Sequence, residues 1–228
     1  LPNKDEIDYV VVEVSAVQMR SLDNFHPKMI VFTNLSDTYP IASFRSMGDF
    51  LETKLKIVKS LSPDDVLVVN FDSLANNTFF RNAKCQTYWY SRKSFVTLGV
   101  MNEIQGSHFH ERRIHCNIHY HSEFVVTKMR IVGQENRENL LAAITACKAL
   151  EVSDQAIQRT IELFPGIPHR LEFLMEKNGV AFYNDSKSET MEEMIKSLTA
   201  FKQPVILIAG GKDNEEVDFE KYTKDLIA

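Results

Sequence analysis

Short runs of β-branched and aliphatic residues that each end in a polar group constrain this chain most. They are Tyr9 to Val14 around Glu13, Met29 to Phe32 before Thr33-Asn34, and Val66 to Val69 before Asn70. Runs of this length with no polar alternation are those of strands covered on both faces, as in parallel sheets. Between the second and third lies a helical pattern from about Ser46 to Lys59. Strand and helix therefore alternate, and the spacing predicts an α/β fold. In such sheets ligands gather beyond the carboxyl ends of the strands, where Glu13, Asn34 and Asn70 fall.

Residues from about 78 to 132 have a different texture. Thr87 to Tyr90, Ile114 to Tyr120 and Phe124 to Val132 alternate, with almost no helical period, and predict an antiparallel β region. Two helices follow. One runs from about Arg137 to Glu151 with Leu140, Leu141, Ile144 and Cys147 on one face, the other from about Asp154 to Phe164 behind the N-cap Ser153. Phe164-Pro165-Gly166-Ile167-Pro168 breaks this pattern and marks a domain boundary, giving domains of residues 1–165 and 166–228. The second opens with a strand pair, Arg170 to Met175 and Val180 to Tyr183, whose connection contains the hairpin signal Asn178-Gly179. A helix bearing Met191, Met194, Ile195 and Leu198 then leads to the apolar run Val205 to Ala209 and Gly210-Gly211, a second α/β unit.

Composition removes several function classes. With 228 residues, 44% of them hydrophobic, the chain can bury a core. A net charge of -5 disfavours nucleic acid and anionic membrane surfaces, leaving small molecules and proteins as partners. No apolar run approaches the roughly 20 residues of a membrane span. The start, Leu1-Pro2-Asn3-Lys4-Asp5, is not a signal peptide, so a cytoplasmic location is expected. Cys85, Cys116 and Cys147 are odd in number and widely spaced, which suits reduced thiols. The first residue is not Met, and the chain stops soon after a strand-like run, so truncation at both ends is expected.

Five groups of residues are candidates to carry chemistry. Lys54 occupies the apolar stripe of its helix with Met47, Phe50, Leu51 and Val58. A lysine there either snorkels past the core edge or loses its charge, and a neutral amine can take up carbon dioxide as a carbamate. Glu13 is either a Mg²⁺ ligand or a solvated strand-end carboxylate. Asn184-Asp185-Ser186-Lys187, between a strand and a helix beginning near Glu189, either receives phosphate or caps the helix. Gly210-Gly211 fits a tight turn. His108, His110, His115, His119 and His121 tempt a metal assignment, with the last three expected on one face of a strand. No adjacent cysteine or acid completes a recognisable set, and an exposed histidine-bearing β face is the better account.

In order along nearly the whole chain, several motifs resemble those of the Mur ligase family, and within it the branch that adds D-glutamate. They are Glu13-Val14-Ser15-Ala16-Val17-Gln18, Thr33-Asn34-Leu35-Ser36, Lys54, Gly133 to Asn139, Gly166-Ile167-Pro168-His169-Arg170-Leu171-Glu172, and Asn184-Asp185-Ser186-Lys187. The resemblance implies part of a central ATPase domain, a parallel sheet with an antiparallel β region, over residues 1–165, and part of a Rossmann-like C-terminal domain for amino acid and nucleotide over 166–228. It implies an ATP- and Mg²⁺-dependent ligase that joins D-glutamate to a UDP-linked muramoyl substrate through an acyl phosphate in peptidoglycan synthesis. Glu13 would bind Mg²⁺, and Lys54, as a carbamate, would support a second Mg²⁺. Asn136, Arg170 and Asp185 would contact the nucleotide, and Lys187 the transferred phosphate.

The family's Gly-x-x-Gly-Lys-[Ser/Thr] phosphate loop and UDP-binding domain would precede Leu1, so the chain alone is expected to be inactive. Tyr39 and Glu135 stand where the family uses histidine, Glu189 where it uses threonine, and Asn214 where lysine is common. These departures motivate two alternatives, a non-catalytic binding or regulatory relative and a ligase for another amino acid.

Overall fold

The computed structural model describes residues 6–35, 43–127, 129, 131–211 and 222. Its main sheet has six strands in chain order: β1 (Met29–Phe32), β2 (Val66–Asn70), β3 (Gln86–Ser91), β4 (Gly106–His110), β5 (Arg113–Cys116) and β6 (Ser122–Val125). The first four are mutually parallel, and β5 and β6 add antiparallel. Alternation along β2 and β3 sorts side chains to two cores. Val68, Tyr88 and Tyr90 pack with Leu141 and Ile144 of helix α4 (Gln134–Ala149), which covers one face together with Ile157 and Ile161 of α5 (Asp154–Leu163). Leu67, Val69 and Trp89 face the other way, against Leu55 and Val58 of α2 (Met47–Lys59). This double cover is why the central strands read as unbroken apolar runs.

Local signals set the helix starts. The Ser46 hydroxyl accepts the Asp49 N–H at 3.2 Å to open α2, and Ser153 does the same for Ala156 at 3.3 Å to open α5. The short α1 (Ala16–Met19) carries a reciprocal box, in which Ser15 accepts the Gln18 N–H and donates its own N–H to the Gln18 side chain. The expected Asn-Gly hairpin is present. β7 (Glu172–Lys177) and β8 (Val180–Asn184) form a separate two-stranded sheet, joined through Asn178 and Gly179 at φ 55 and 76.

The structure corrects the sequence reading in four places. Thr87 to Tyr90 lies in β3, which runs parallel to β2, so the antiparallel region begins only at β5. A helix, α3 (Leu74–Phe80), follows β2 where none was expected. Tyr9 to Val14 forms no strand, and Val11 is 98% exposed. Val205 to Ala209 is likewise irregular, with Ile208 94% exposed. Apolar side chains favour a strand only where a neighbour supplies the ladder, and among the described residues neither segment has one. Among the described residues, no helix is long and apolar enough to cross a membrane.

Candidate functional site

The polar ends of β1, β2 and β3 converge under the start of α4. Asn70, the last residue of β2, donates from Nδ2 to Asn34 Oδ1 at 3.0 Å and to Glu138 Oε2 at 3.5 Å. Arg92, one residue past β3, places Nε 2.8 Å from Glu138 Oε1 and donates from Nη1 to Gln134 Oε1 at 2.6 Å. Asp72 accepts from the Ser91 hydroxyl and from the Arg92 N–H, each at 2.7 Å. Burial pushes the Glu138 carboxyl above the usual range, and the Arg92 charge works against that shift. Burial together with the carboxylates of Glu138 and Asp72 drives the Tyr90 phenol far up, and its hydroxyl donates to the Thr33 carbonyl at 3.3 Å. Asn34 and Asn70 thus meet as expected of a strand-end crevice.

Lys54 points to the same edge. It is half-buried on α2, with Nζ 3.4 Å from the Asn34 carbonyl oxygen and 4.8 Å from the Phe50 ring centroid. Burial lowers its pKa, which raises the fraction of neutral amine. Glu13 is exposed in the irregular segment before α1, and no hydrogen bond or ion pair among the described residues joins it to Lys54.

The other expected site residues gather at a second locus. The Leu171 N–H donates to Asp185 Oδ1 at 2.9 Å, and the Lys187 N–H donates to the His169 carbonyl at 3.0 Å. These bonds stitch the turn before β7 to the turn after β8, so Arg170, Asp185 and Lys187 share one neighbourhood. Arg170 sits in the turn, two residues before β7, and its side chain is exposed. Glu172 accepts the His169 N–H at 2.8 Å. Asp185 also accepts from Ser188. It does not cap the next helix, α6 (Met191–Leu198), whose N-cap is Thr190. The start of α4 reaches this locus from the other side. A β-carbon at Gly133, the N-cap of α4 at φ 98, would lie 3.6 Å from both Leu171 Cδ1 and Ala200 Cβ. Asn136, on the first turn of α4, donates from Nδ2 to the Val132 carbonyl at 2.6 Å. Arg170, Asp185 and Lys187 thus lie on turns stitched together, and the start of α4, which carries Asn136, approaches them through Gly133.

Of the positions that depart from the family motifs, Glu135 is exposed on α4, and Glu189 is exposed with Oε1 3.9 Å from Lys187 Nζ. Tyr39 and Asn214 lie outside the described residues. Sequence reasoning missed Arg92, Asp72 and Glu138. The first two follow the ends of β3 and β2, and reading β3 as parallel would have drawn attention to Arg92 by the same strand-end rule that found Asn34 and Asn70.

Comparison with known proteins places these features. Residues 2–147 match the family described as Mur ligase middle domain. The chain is 34% identical over 221 residues to the UDP-N-acetylmuramoylalanine--D-glutamate ligase of Alkaliphilus metalliredigens, covering 96% of this chain and 47% of that protein. The enzyme of the same name from Bdellovibrio bacteriovorus is 33% identical over 213 residues, covering 92% and 46%. This chain thus spans about half the length of the curated relatives it matches. Among solved structures, crystal structure II of MurF from Acinetobacter baumannii superposes with a TM-score of 0.55 at 18% identity, over 78% of this chain and 38% of that one. The S73A mutant of L. casei FPGS does so with a TM-score of 0.52 at 14% identity, over 80% and 45%. At these identities the structural likeness is one of fold.

Proposed function

Because the chain belongs to the Mur ligase family through its middle domain, we propose that it is the central and C-terminal part of a cytoplasmic ATP-dependent ligase that joins D-glutamate to UDP-N-acetylmuramoyl-L-alanine in peptidoglycan synthesis. In this reading residues 1–165 belong to the ATP-binding domain and 166–228 to the C-terminal one. ATP phosphorylates the substrate carboxylate and leaves as ADP. The D-glutamate amine then attacks the acyl phosphate, the C–O bond to phosphate breaks, and the amide forms. The observation that carries the reading is that likeness to proteins named as D-glutamate ligases runs through both halves of the chain, including the start of α4 that carries Asn136 and the turns that carry Arg170, Asp185 and Lys187.

Elementary chemistry gives each residue a task. The Arg170 guanidinium and the Lys187 ammonium, both exposed, offer donors to phosphate oxygens. Asp185 keeps acceptor capacity for ribose hydroxyls, and Asn136 can both donate and accept toward base or sugar. Lys54 suits carbamylation, because a half-buried amine with a lowered pKa is the form that attacks carbon dioxide. A carbamate there would set its oxygens against the Asn34 carbonyl, an oxygen-rich spot that fits a hard cation. By the resemblance, Glu13 would hold one Mg²⁺ and the Lys54 carbamate would support a second, and these ions would offset phosphate charge.

The experiment is amino-acid-dependent ADP release by the full-length protein with its UDP-linked substrate. D-glutamate should trigger release and L-glutamate should not. Release with a different amino acid supports the ligase of altered specificity, which Glu189 favours because its carboxylate would repel that of D-glutamate. No release with any amino acid supports the non-catalytic relative. Arg170→Ala should weaken ATP binding by about 1.5–3 kcal/mol, the range for a hydrogen bond to a charged group. Unchanged affinity by calorimetry would remove Arg170 from the nucleotide site.

A further inference from the structure

The antiparallel end of the main sheet carries a second group of residues that this reaction does not use. In β4–β6, Ile114, Cys116 and Phe124 face α4, so the alternate residues His115 and Glu123 point to the opposite face. The register pairs His115 with His108 on one side and with Glu123 on the other. His121 precedes Glu123 by two residues and joins them on that face. His119, expected there too, sits instead in the exposed turn at φ 60. The acid that seemed missing from the histidine cluster is therefore Glu123, supplied by the neighbouring strand.

We propose that His115, His121 and Glu123 form a binding site for a divalent transition-metal ion of the zinc class. Glu123 Oε1 lies 3.6 Å from His115 Nδ1 and 3.3 Å from His121 Nε2. Ligand atoms about 2.0–2.2 Å from a tetrahedral ion stand about 3.3–3.6 Å apart. One ligand atom from each of the three residues lies within 4.8 Å of the other two. Closing that gap asks most of His121, whose side chain is 53% exposed and can turn. The His110 ring lies 5.6 Å from that of His115 on the same face, and water would fill the fourth position.

The donor set chooses the class of ion. Two imidazoles and one carboxylate suit zinc, copper, nickel or iron, whereas Mg²⁺ and Ca²⁺ prefer oxygen throughout. The site is thus distinct in chemistry from the Mg²⁺ of the proposed reaction. A metal bound here ties β5, the turn after it and β6 together, which makes it a clamp on the sheet edge.

Co²⁺ serves as the probe, because its visible absorption reports a tetrahedral nitrogen–oxygen site. The 228-residue chain should develop this absorption with saturation at equimolar Co²⁺ and lose it to Zn²⁺. His121→Ala and Glu123→Gln should each weaken binding by at least about tenfold, while His119→Asn, in the adjoining turn, should leave it unchanged. Fluorescence of Trp89 verifies that each variant is folded. The proposal is overturned if the chain gives no such absorption, if folded His121→Ala and Glu123→Gln bind as tightly as the parent, or if His119→Asn loses binding to the same extent.

Discussion

In β2, Leu67, Val68 and Val69 are completely buried, whereas in the β7–β8 hairpin Phe173, Met175, Val180 and Phe182, no less apolar, are 51, 50, 53 and 46% exposed. The strands differ little in composition and greatly in cover. β2 lies between α4 on one face and α2 on the other, with a paired strand on each side. The hairpin has one partner strand per residue and a small aromatic contact, Phe173 on Tyr183 at 5.5 Å and Tyr183 on Phe201 at 4.8 Å. The difference teaches that layers, more than the apolar character of a strand, determine what it buries.

If that is right, equivalent substitutions should weigh very differently in the two sheets. The largest effect is expected at Gly106, where a β-carbon would fall 1.6 Å from the Trp89 carbonyl oxygen in the β3–β4 pairing. Gly106→Ala should therefore cost about 4 kcal/mol or more. Urea unfolding followed by the single tryptophan, Trp89, measures it, and an unchanged midpoint would break the assigned pairing. Next comes Phe124→Ala in β6, a side chain at 1% exposure packed against α4, at about 3–5 kcal/mol in the same assay.

Acid tests the main sheet differently. Asp65, completely buried just before β2, accepts from the Ser62 hydroxyl and N–H and pairs with Lys28 and His26. The Ser62 hydroxyl is the main cause holding its carboxyl far below the usual range, against the opposing pull of burial. A depressed folded-state pKa adds stability that is present above the unfolded value of about 3.9 and fades as pH falls below it. The melting temperature of the parent should thus drop more steeply below about pH 4 than that of Asp65→Asn. Parallel curves would remove Asp65 from the acid response.

The hairpin should respond least. Gly179 holds φ 76 with open space around it, so Gly179→Ala carries only the left-handed penalty of about 1 kcal/mol. Phe182→Ala should stay within about 0.5 kcal/mol, as for an exposed position. Melting followed by circular dichroism checks both, and a loss at Phe182 as large as that at Phe124 would erase the contrast between the sheets.

Much of the architecture is legible in the sequence. The periods of α2, α4 and α5, the cap Ser153, and the Asn178-Gly179 turn are local signals, written within a few residues of where they act. Lys54 and the strand-end asparagines were legible for the same reason, as a polar residue on an apolar stripe and as polar stops after apolar runs. Strand direction was not, because alternating side chains look alike in a parallel and an antiparallel ladder. That ambiguity misassigned β3 and hid Arg92. Tyr9 to Val14 and Val205 to Ala209 read as buried strands because periodicity reports what a segment can bury and says nothing of whether a neighbour is there to cover it.

By itself, then, the sequence determined α2, α4, α5 and α6, the cap Ser153, the hairpin turn, β1 and β2, and the family motifs, because each depends on side chains close together in the chain. Only the tertiary structure decided that Arg92, Asn70 and Glu138 meet, that the turns around Arg170 and Asp185 are stitched together, and that Glu123 joins His115 and His121. Those meetings depend on which strands pair and in which register, and registry is set by the joint burial of both faces of the sheet, a property no single segment carries.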